Sequence, residues 1–168
     1  MTDVCVSVVA YKREIALEYY VMPIRSIAFI GKRNEPLFLH TVHKEEDAAA
    51  RLYEETIIHS SLDIFEERRG KKSGSTNTSA TSADLFLGHI LTVSRSKVYG
   101  FCSNTLTKIV VVCDINGPEE AVAKELTLAA YESFVKATKN PFQEVGKPVD
   151  SRGFSEDIKS MVSVFNTR

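Results

Sequence analysis

The sequence is short of cysteine, of net charge and of long hydrophobic runs. Cys5, Cys102 and Cys113 form an odd set without CxxC spacing, each in or beside an apolar run, so we expect buried thiols rather than disulfides or reactive groups. A net charge of −1 over 168 residues gives no field that attracts nucleic acid or an acidic membrane. No apolar run approaches the ~18 residues that cross a bilayer. The N-terminus lacks the basic-then-apolar order of a signal peptide. We expect a cytosolic protein.

The stretch from Val98 to Ile115 predicts the centre of the fold. Two runs rich in Val, Ile, Tyr and Phe flank a Ser-Asn-Thr turn, which is typical of a β-hairpin. The second run, Lys108 to Cys113, is apolar at almost every position, and this suits a strand that is covered on both faces. Ile109–Cys113 is therefore predicted to be the central strand of a sheet between helices.

The segments before this hairpin predict two strands, a helix and a third strand. Ile24–Ile30 and Pro36–Val42 flank a polar turn and form a first hairpin. The helix opens on the acidic residues Glu45–Asp47 and buries one face. Arg68 to Lys72 end it, with Gly70 as a stop. Leu85–Val93 is the third strand. The buried face of this helix is formed by Ile57, Ile58, Ser61, Leu62 and Phe65.

Two helices follow the central strand. Val122, Leu126, Ala130 and Phe134 belong to the core stripe of the first, which ends near Asn140-Pro141. The second carries an apolar stripe from Phe154 to Phe165, with Ser151 or Ser155 as its cap. The order ββαβββαα predicts an α/β (α+β) fold: a five-stranded antiparallel sheet with one helix on one face and two on the other.

Two segments fall outside this pattern. Residues 71–83 are mostly Ser, Thr, Gly and Asn without apolar periodicity, and they predict a flexible loop. Residues 1–21 are an extension for which three interpretations stay open: an added strand pair, a flexible leader, or residues upstream of a natural start at Met22. We expect the domain to span residues 22–168.

No constellation of residues in the sequence predicts catalysis or a cofactor. His40 and His43 lie three apart, with His59 and His89 elsewhere, and no acidic or thiol residue is spaced to complete a metal site. Gly31-Lys32 lacks the spacing of a phosphate loop. We therefore expect no metal, no cofactor and no enzymatic activity.

The order of motifs resembles the longin fold, and more narrowly the sedlin family of TRAPP vesicle-tethering subunits. The matching pieces are IAFIGKRNEPLF in the first hairpin, His59-Ser-Ser-Leu-Asp63, KVYGF at 97–101, KIVVVCD at 108–114, Asn140-Pro-Phe142, and Pro148-Val-Asp-Ser151 with Phe154. KVYGF and the run from Ser151 to Phe154 are more similar to the family's subunit 2-like branch than to subunit 2. Gln143, where an aromatic residue is common, departs from the pattern.

The resemblance implies a non-enzymatic adaptor subunit of a TRAPP-like complex that tethers vesicles in ER-to-Golgi or intra-Golgi transport. Its partners would be other TRAPP subunits and, indirectly, a Rab-type GTPase. It would lie in the cytoplasm and reach ER and Golgi membranes only through the complex. Asp63 and His59 match a segment that in the family looks like a partner-binding surface. For Asp63, about 100° around the helix from Leu62, a solvated helix charge is the competing interpretation.

Two other classes remain as alternatives. One is the longin domain of a SNARE or of a coat-adaptor small subunit, and the SNARE would need a heptad helix and an anchor that these 168 residues do not contain. The other is a small-ligand domain of profilin or PAS type, for which the sequence supplies no chemistry.

Overall fold

The strands and helices follow one another in the predicted order. A computed structural model describes residues 24–43, 47–72 and 85–167, with the side chains of the first helix described as far as Arg68. The strands are β1 (Ile24–Ile30), β2 (Pro36–Thr41), β3 (Phe86–Val93), β4 (Ser96–Cys102) and β5 (Lys108–Asp114). The helices are α1 (Ala48–Lys72), α2 (Glu120–Thr138) and α3 (Arg152–Asn166).

Strand β5 is the central strand, as predicted. The sheet order is β2-β1-β5-β4-β3, and each pair of neighbouring strands is antiparallel. Val111 lies between Ile27 of β1 and Tyr99 of β4. Because antiparallel neighbours flank it on both sides, β5 has no free edge.

The side chains of β5 alternate between two hydrophobic cores. Ile109, Val111 and Cys113 pack with α2 and α3, whereas Val110 and Val112 pack with α1. All five are fully buried. The prediction of one helix on one face and two on the other is confirmed.

Gly100 permits the close packing of α1 on the sheet. A Cβ atom at this position in β4 would lie 2.6 Å from Cζ of Phe65 and would also collide with Ile90. Cβ contacts this short are essentially never seen, so any side chain in place of this glycine of the KVYGF motif would force Phe65 and Ile90 to shift.

Four phenylalanines join the hairpin to the two C-terminal helices. Phe29 stacks on Phe134 of α2 at 5.2 Å between ring centroids, and Phe154 of α3 lies edge-on to Phe29 at 5.3 Å and to Phe38 at 4.8 Å. Such aromatic pairs contribute about 0.5–1.5 kcal/mol beyond the area they bury. The predicted Ser151 cap of α3 is confirmed, since its side chain accepts a hydrogen bond from the Phe154 amide.

The prediction that Gly70 ends α1 is wrong. The helix continues to Lys72, so the predicted loop from residue 71 begins inside the helix. A single glycine costs a helix only about 1 kcal/mol relative to alanine, which does not by itself end it. At the other end, Asp47 precedes the helix and accepts a hydrogen bond from the Ala50 amide. Residues 73–83 of that loop, the extension 1–21, Cys5, Glu45 and Glu46 lie outside the described residues.

Each outer strand of the sheet accepts hydrogen bonds from a residue outside the sheet. The guanidinium of Arg68 donates hydrogen bonds to the carbonyl oxygens of Leu87, His89 and Ile90 along β3. At the other edge, the Val149 amide donates to the Leu37 carbonyl of β2 at 2.8 Å. Capped edge strands resist pairing with another sheet.

The end of α3 is tied to the start of β1. The Asn166 side chain accepts a hydrogen bond from the Ile24 amide at 3.0 Å and donates one to the Ile24 carbonyl at 3.1 Å. Among the described residues, no helix is long and apolar enough to span a bilayer. The predicted burial of Cys102 and Cys113 is confirmed.

We expect Val111→Asp to leave no cooperatively folded protein. The new carboxylate would lie without a partner in a strand covered on both faces, and its burial costs several kcal/mol, comparable to the whole stability of a domain. Thermal melts followed by circular dichroism measure this. Val164→Asp, at a half-exposed position of α3, is the control and should melt like the wild type. A cooperative melt of Val111→Asp would contradict the double coverage of β5.

Candidate functional site

The outer face of α1 carries the two residues that the family resemblance marks as candidates for partner binding. His59 and Asp63 are both exposed and lie four residues apart, which places them on the same side of the helix. Their neighbours Ile58 and Leu62 point into the core. In the described part of the chain neither His59 nor Asp63 has a hydrogen-bond or ion-pair partner, so the fold makes no use of them.

A groove of about 280 Å³ separates α1 from the β1–β2 hairpin. Its apolar lining is Ala28, Phe29, Ile30, Pro36, Phe38, Leu39, Ile58 and Leu62, and its polar lining is Asn34, Glu55 and His59. The structure therefore places His59 on the lining of the groove, whereas Asp63 lies one helical turn further along and outside it. Leu39 is partly exposed there. The groove has the composition of a pocket that accepts apolar side chains and offers a few polar contacts.

The position of α1 depends on a buried carboxylate that sequence reasoning missed. Only 2% of the Glu54 side chain is exposed. It accepts a hydrogen bond from Ser26 Oγ at 2.6 Å, and its other oxygen lies 3.5 Å from the Arg25 guanidinium and 3.3 Å from His43 Nε2. Arg25 also pairs with Asp114 at 3.0 Å. A buried charge is tolerated only with such partners, so Glu54 fixes α1 against β1.

This arrangement of serine, glutamate and histidine is not that of a catalytic triad. In a triad the imidazole accepts the proton of the hydroxyl, but here the carboxylate lies between Ser26 and His43. Ser26 is also fully buried, so a substrate has no access to its hydroxyl. The network holds elements together instead.

A second buried charge, Lys108, holds the C-terminal half of α1 against the sheet. Lys108 is 3% exposed, and its ammonium donates hydrogen bonds to the Asn34 side chain in the β1–β2 turn and to Glu66 of α1. Asn34 adopts a left-handed backbone conformation, which asparagine tolerates better than most residues. Through Lys108, the start of β5 holds both walls of the groove.

The histidines considered for a metal site face different helices. His43 contacts Glu54 of α1, whereas His40 lies near Lys159 of α3. Burial, and to a lesser extent the charge of Lys159, lower the pKa of His40. No group of three or more metal-ligating side chains occurs in the ranges that the structure describes.

Burial also disfavours ionisation of two groups in the sheet. It raises the pKa of the Cys113 thiol far above its usual range, so this cysteine remains a protonated core residue. It raises the pKa of Tyr99, whose hydroxyl donates a hydrogen bond to the Pro118 carbonyl. The outer surface of α1 thus presents a carboxylate and an imidazole beside an apolar groove.

Comparison with known proteins gives one consistent match. The family model described as Sedlin matches residues 29–164. A relative from Dictyostelium discoideum, named trafficking protein particle complex subunit 2-like protein, is 29% identical over 137 residues, covering 81% of this chain and 94% of the relative. Proteins of the same name from Xenopus tropicalis and Bos taurus are 28% and 27% identical over 138 residues, with the same coverage.

We expect Glu54→Ala to lower the free energy of unfolding by about 3 kcal/mol, the lower end of the range for breaking a buried pair, because Arg25 keeps Asp114 as its partner. Urea denaturation measures the change. The exposed neighbour Glu55 supplies the control, and Glu55→Ala should change stability by no more than about 0.5 kcal/mol. Equal midpoints for the two variants would show that Glu54 does not hold α1.

His40 should make the fold sensitive to mild acid. Its pKa is lower in the folded protein than in the unfolded chain, so the unfolded state binds a proton first as the pH falls below about 6.5, and stability present above that pH is lost. His40→Gln should lose less stability than the wild type between pH 7.5 and pH 5.5. Lys159→Met, which removes the smaller cause, should reduce the loss only in part. Identical pH dependence of wild type and His40→Gln in urea melts would contradict this assignment.

Proposed function

Since the chain belongs to the sedlin family, we propose that it is a non-enzymatic subunit of a trafficking protein particle complex and joins other subunits of that complex. The observation that carries this proposal is the family match over residues 29–164, together with relatives that are themselves named as subunits of such a complex. Apart from Ile27 and Ala28, the motifs that carry the resemblance, from the first hairpin to Phe154, fall within that match.

The binding surface in this proposal is the outer face of α1 with the groove beside it. His59 and Asp63 are exposed charged or polar groups at the margin, and the groove lined by Ile58 and Leu62 is an apolar pocket. Protein interfaces concentrate their energy in a few apolar anchors seated in pockets, with a polar rim around them. In this arrangement a partner side chain enters the groove and a partner cation or hydrogen-bond donor meets Asp63.

One exposed apolar residue extends the same helix face toward its N-terminus. Leu52 is 65% exposed and lies two helical turns before His59 on the same side of the helix. Its exposure supports a contact area longer than the groove alone. The buried network around Glu54 would hold this surface in place before a partner arrives, which lowers the entropic cost of association.

The cellular role follows from membership in the complex. We propose that the chain acts in ER-to-Golgi or intra-Golgi transport, in the cytoplasm, and meets membranes only through its complex. A Rab-type GTPase would be contacted by the assembled complex rather than by this subunit alone.

Asp63→Ala separates the adaptor proposal from a solvated helix charge. We expect the free energy of unfolding to change by less than about 0.5–1 kcal/mol, since the side chain is exposed. Recovery of the other subunits in a quantitative pull-down from cells should fall, because the loss of one member of a desolvated charge pair costs about 2–5 kcal/mol of binding. His59→Ala should weaken recovery in the same direction.

Glu132→Ala is the matched control, an exposed carboxylate on α2 at the opposite face of the sheet. It should leave both the melt and the recovery at wild-type levels. Unchanged recovery with Asp63→Ala would show that Asp63 is only a solvated helix charge. A lowered melt with an equal loss of recovery would assign it to helix stability instead.

A further inference from the structure

The Asn140-Pro-Phe142 segment forms a preorganised turn directly after α2. The Asn140 side-chain oxygen accepts a hydrogen bond from the Phe142 amide at 3.1 Å, and the Asn140 carbonyl accepts one from the Gln143 amide at 3.0 Å. Proline at the second position fixes its own φ and restricts the residue before it. The segment therefore has a defined shape without any ligand.

This turn holds an aromatic ring out in solvent. Phe142 is 90% exposed and Val145, three residues later, is fully exposed. Both exceed Leu52 at 65%, the next most exposed large apolar side chain in the described ranges. The other aromatic rings near this end of the molecule, such as Phe134 and Phe154, are buried.

The rest of the same segment is held by hydrogen bonds within the loop and by one bond to β2. The Gln143 side-chain amide lies 3.3, 3.4 and 3.2 Å from the carbonyl oxygens of Glu144, Lys147 and Pro148. Val149 then binds the edge of β2. Gln143, the residue that departs from the family pattern, thus stabilises the loop from within. Phe142 is consequently exposed by a loop whose shape is fixed by hydrogen bonds.

We propose that the Asn140–Gln143 turn is a recognition motif that inserts the Phe142 ring into an apolar pocket of a folded partner protein, with Val145 packing at the rim of that pocket. An aromatic side chain held in its bound shape loses little entropy on association, so it suits the role of an anchor. The partner pocket is ring-sized and apolar, and its rim supplies an acceptor for the Asn140 amide group.

The charge around the turn favours a protein pocket over a lipid surface. Glu144 and Lys147 form an ion pair with each other at 2.6 Å, so the loop adds no net positive charge there. Membrane-inserting loops of this size combine apolar residues with basic residues that meet anionic headgroups. This surface lies at the end of α2, whereas α1 lies on the other face of the sheet. The two surfaces are therefore separate.

The test uses the full chain and, as probe, a purified protein domain that binds short peptides containing Asn-Pro-Phe. Isothermal titration should show saturable binding, and a synthetic peptide spanning residues 139–148 should compete with it. Phe142→Ser should weaken binding at least about tenfold, as for an anchor residue. Asn140→Ala should weaken it by about threefold to tenfold, since it removes one hydrogen bond of the turn.

Val164→Ser, a half-exposed apolar residue on α3, is the control and should bind like the wild type. Because Phe142 is exposed, Phe142→Ser should melt like the wild type. In the pull-down from cells, recovery of the complex subunits should fall with Asp63→Ala and stay unchanged with Phe142→Ser, which would show that the two surfaces are distinct. Absence of binding by the wild type, or binding that Phe142→Ser leaves unchanged, would overturn the proposal. Two other results would also overturn it. If the wild type floated with vesicles of phosphatidylcholine and phosphatidylserine and Phe142→Ser did not, the ring would bind a membrane. If the wild type sedimented as a dimer and Phe142→Ser as a monomer, the ring would bind a second copy of the chain.

Discussion

The buried carboxylate of Glu54 is the interaction on which the surface of this protein depends. It binds Ser26 and Arg25 of β1 and contacts His43, which precedes α1. Hydrophobic packing alone allows a helix to rotate or slide on a sheet, because apolar contacts are not directional. A desolvated carboxylate with three defined partners permits far fewer positions. The orientation of the outer helix face, with His59 and Asp63, therefore follows from a buried charge, while Lys108 holds the two walls of the groove.

The apolar periodicity of the sequence was enough to predict the strands and the central place of β5. It also placed Asp63 away from the buried stripe, as the structure confirms. The same method failed where the environment of a residue is set by distant chain segments. Glu54 lies on the buried side of α1, but a glutamate in an amphipathic helix is usually assigned to solvent, and its partner Ser26 is 28 residues away. Lys108 is similar, since its burial depends on a turn 74 residues earlier. The groove forms only where the β1–β2 hairpin meets α1, so the sequence of neither segment alone predicts it.

The two proposed contact surfaces differ in physical character. The α1 face is a concave apolar groove with polar groups on one side, and in the proposed contact it would receive a side chain from its partner. The Asn140–Gln143 turn is convex and presents a side chain of its own. Because α1 and the two C-terminal helices lie on opposite faces of the sheet, one partner can occupy each surface without excluding the other. If both proposed contacts form, the domain would join two proteins from opposite faces of its sheet.

The bond between Asn166 and Ile24 has a consequence for synthesis of the chain. These residues are 142 positions apart, and at roughly 5–20 residues per second a ribosome needs roughly 7–30 s to add that many. For much of this interval β1, a largely apolar strand, is made before its neighbour β5 is complete, and for all of it before the clasp of α3 can form. Until then only the β2 hairpin and α1 can shield it, and each covers a single edge or face. The nascent chain thus passes through a long stage in which a chaperone that shields exposed strands would protect it from aggregation.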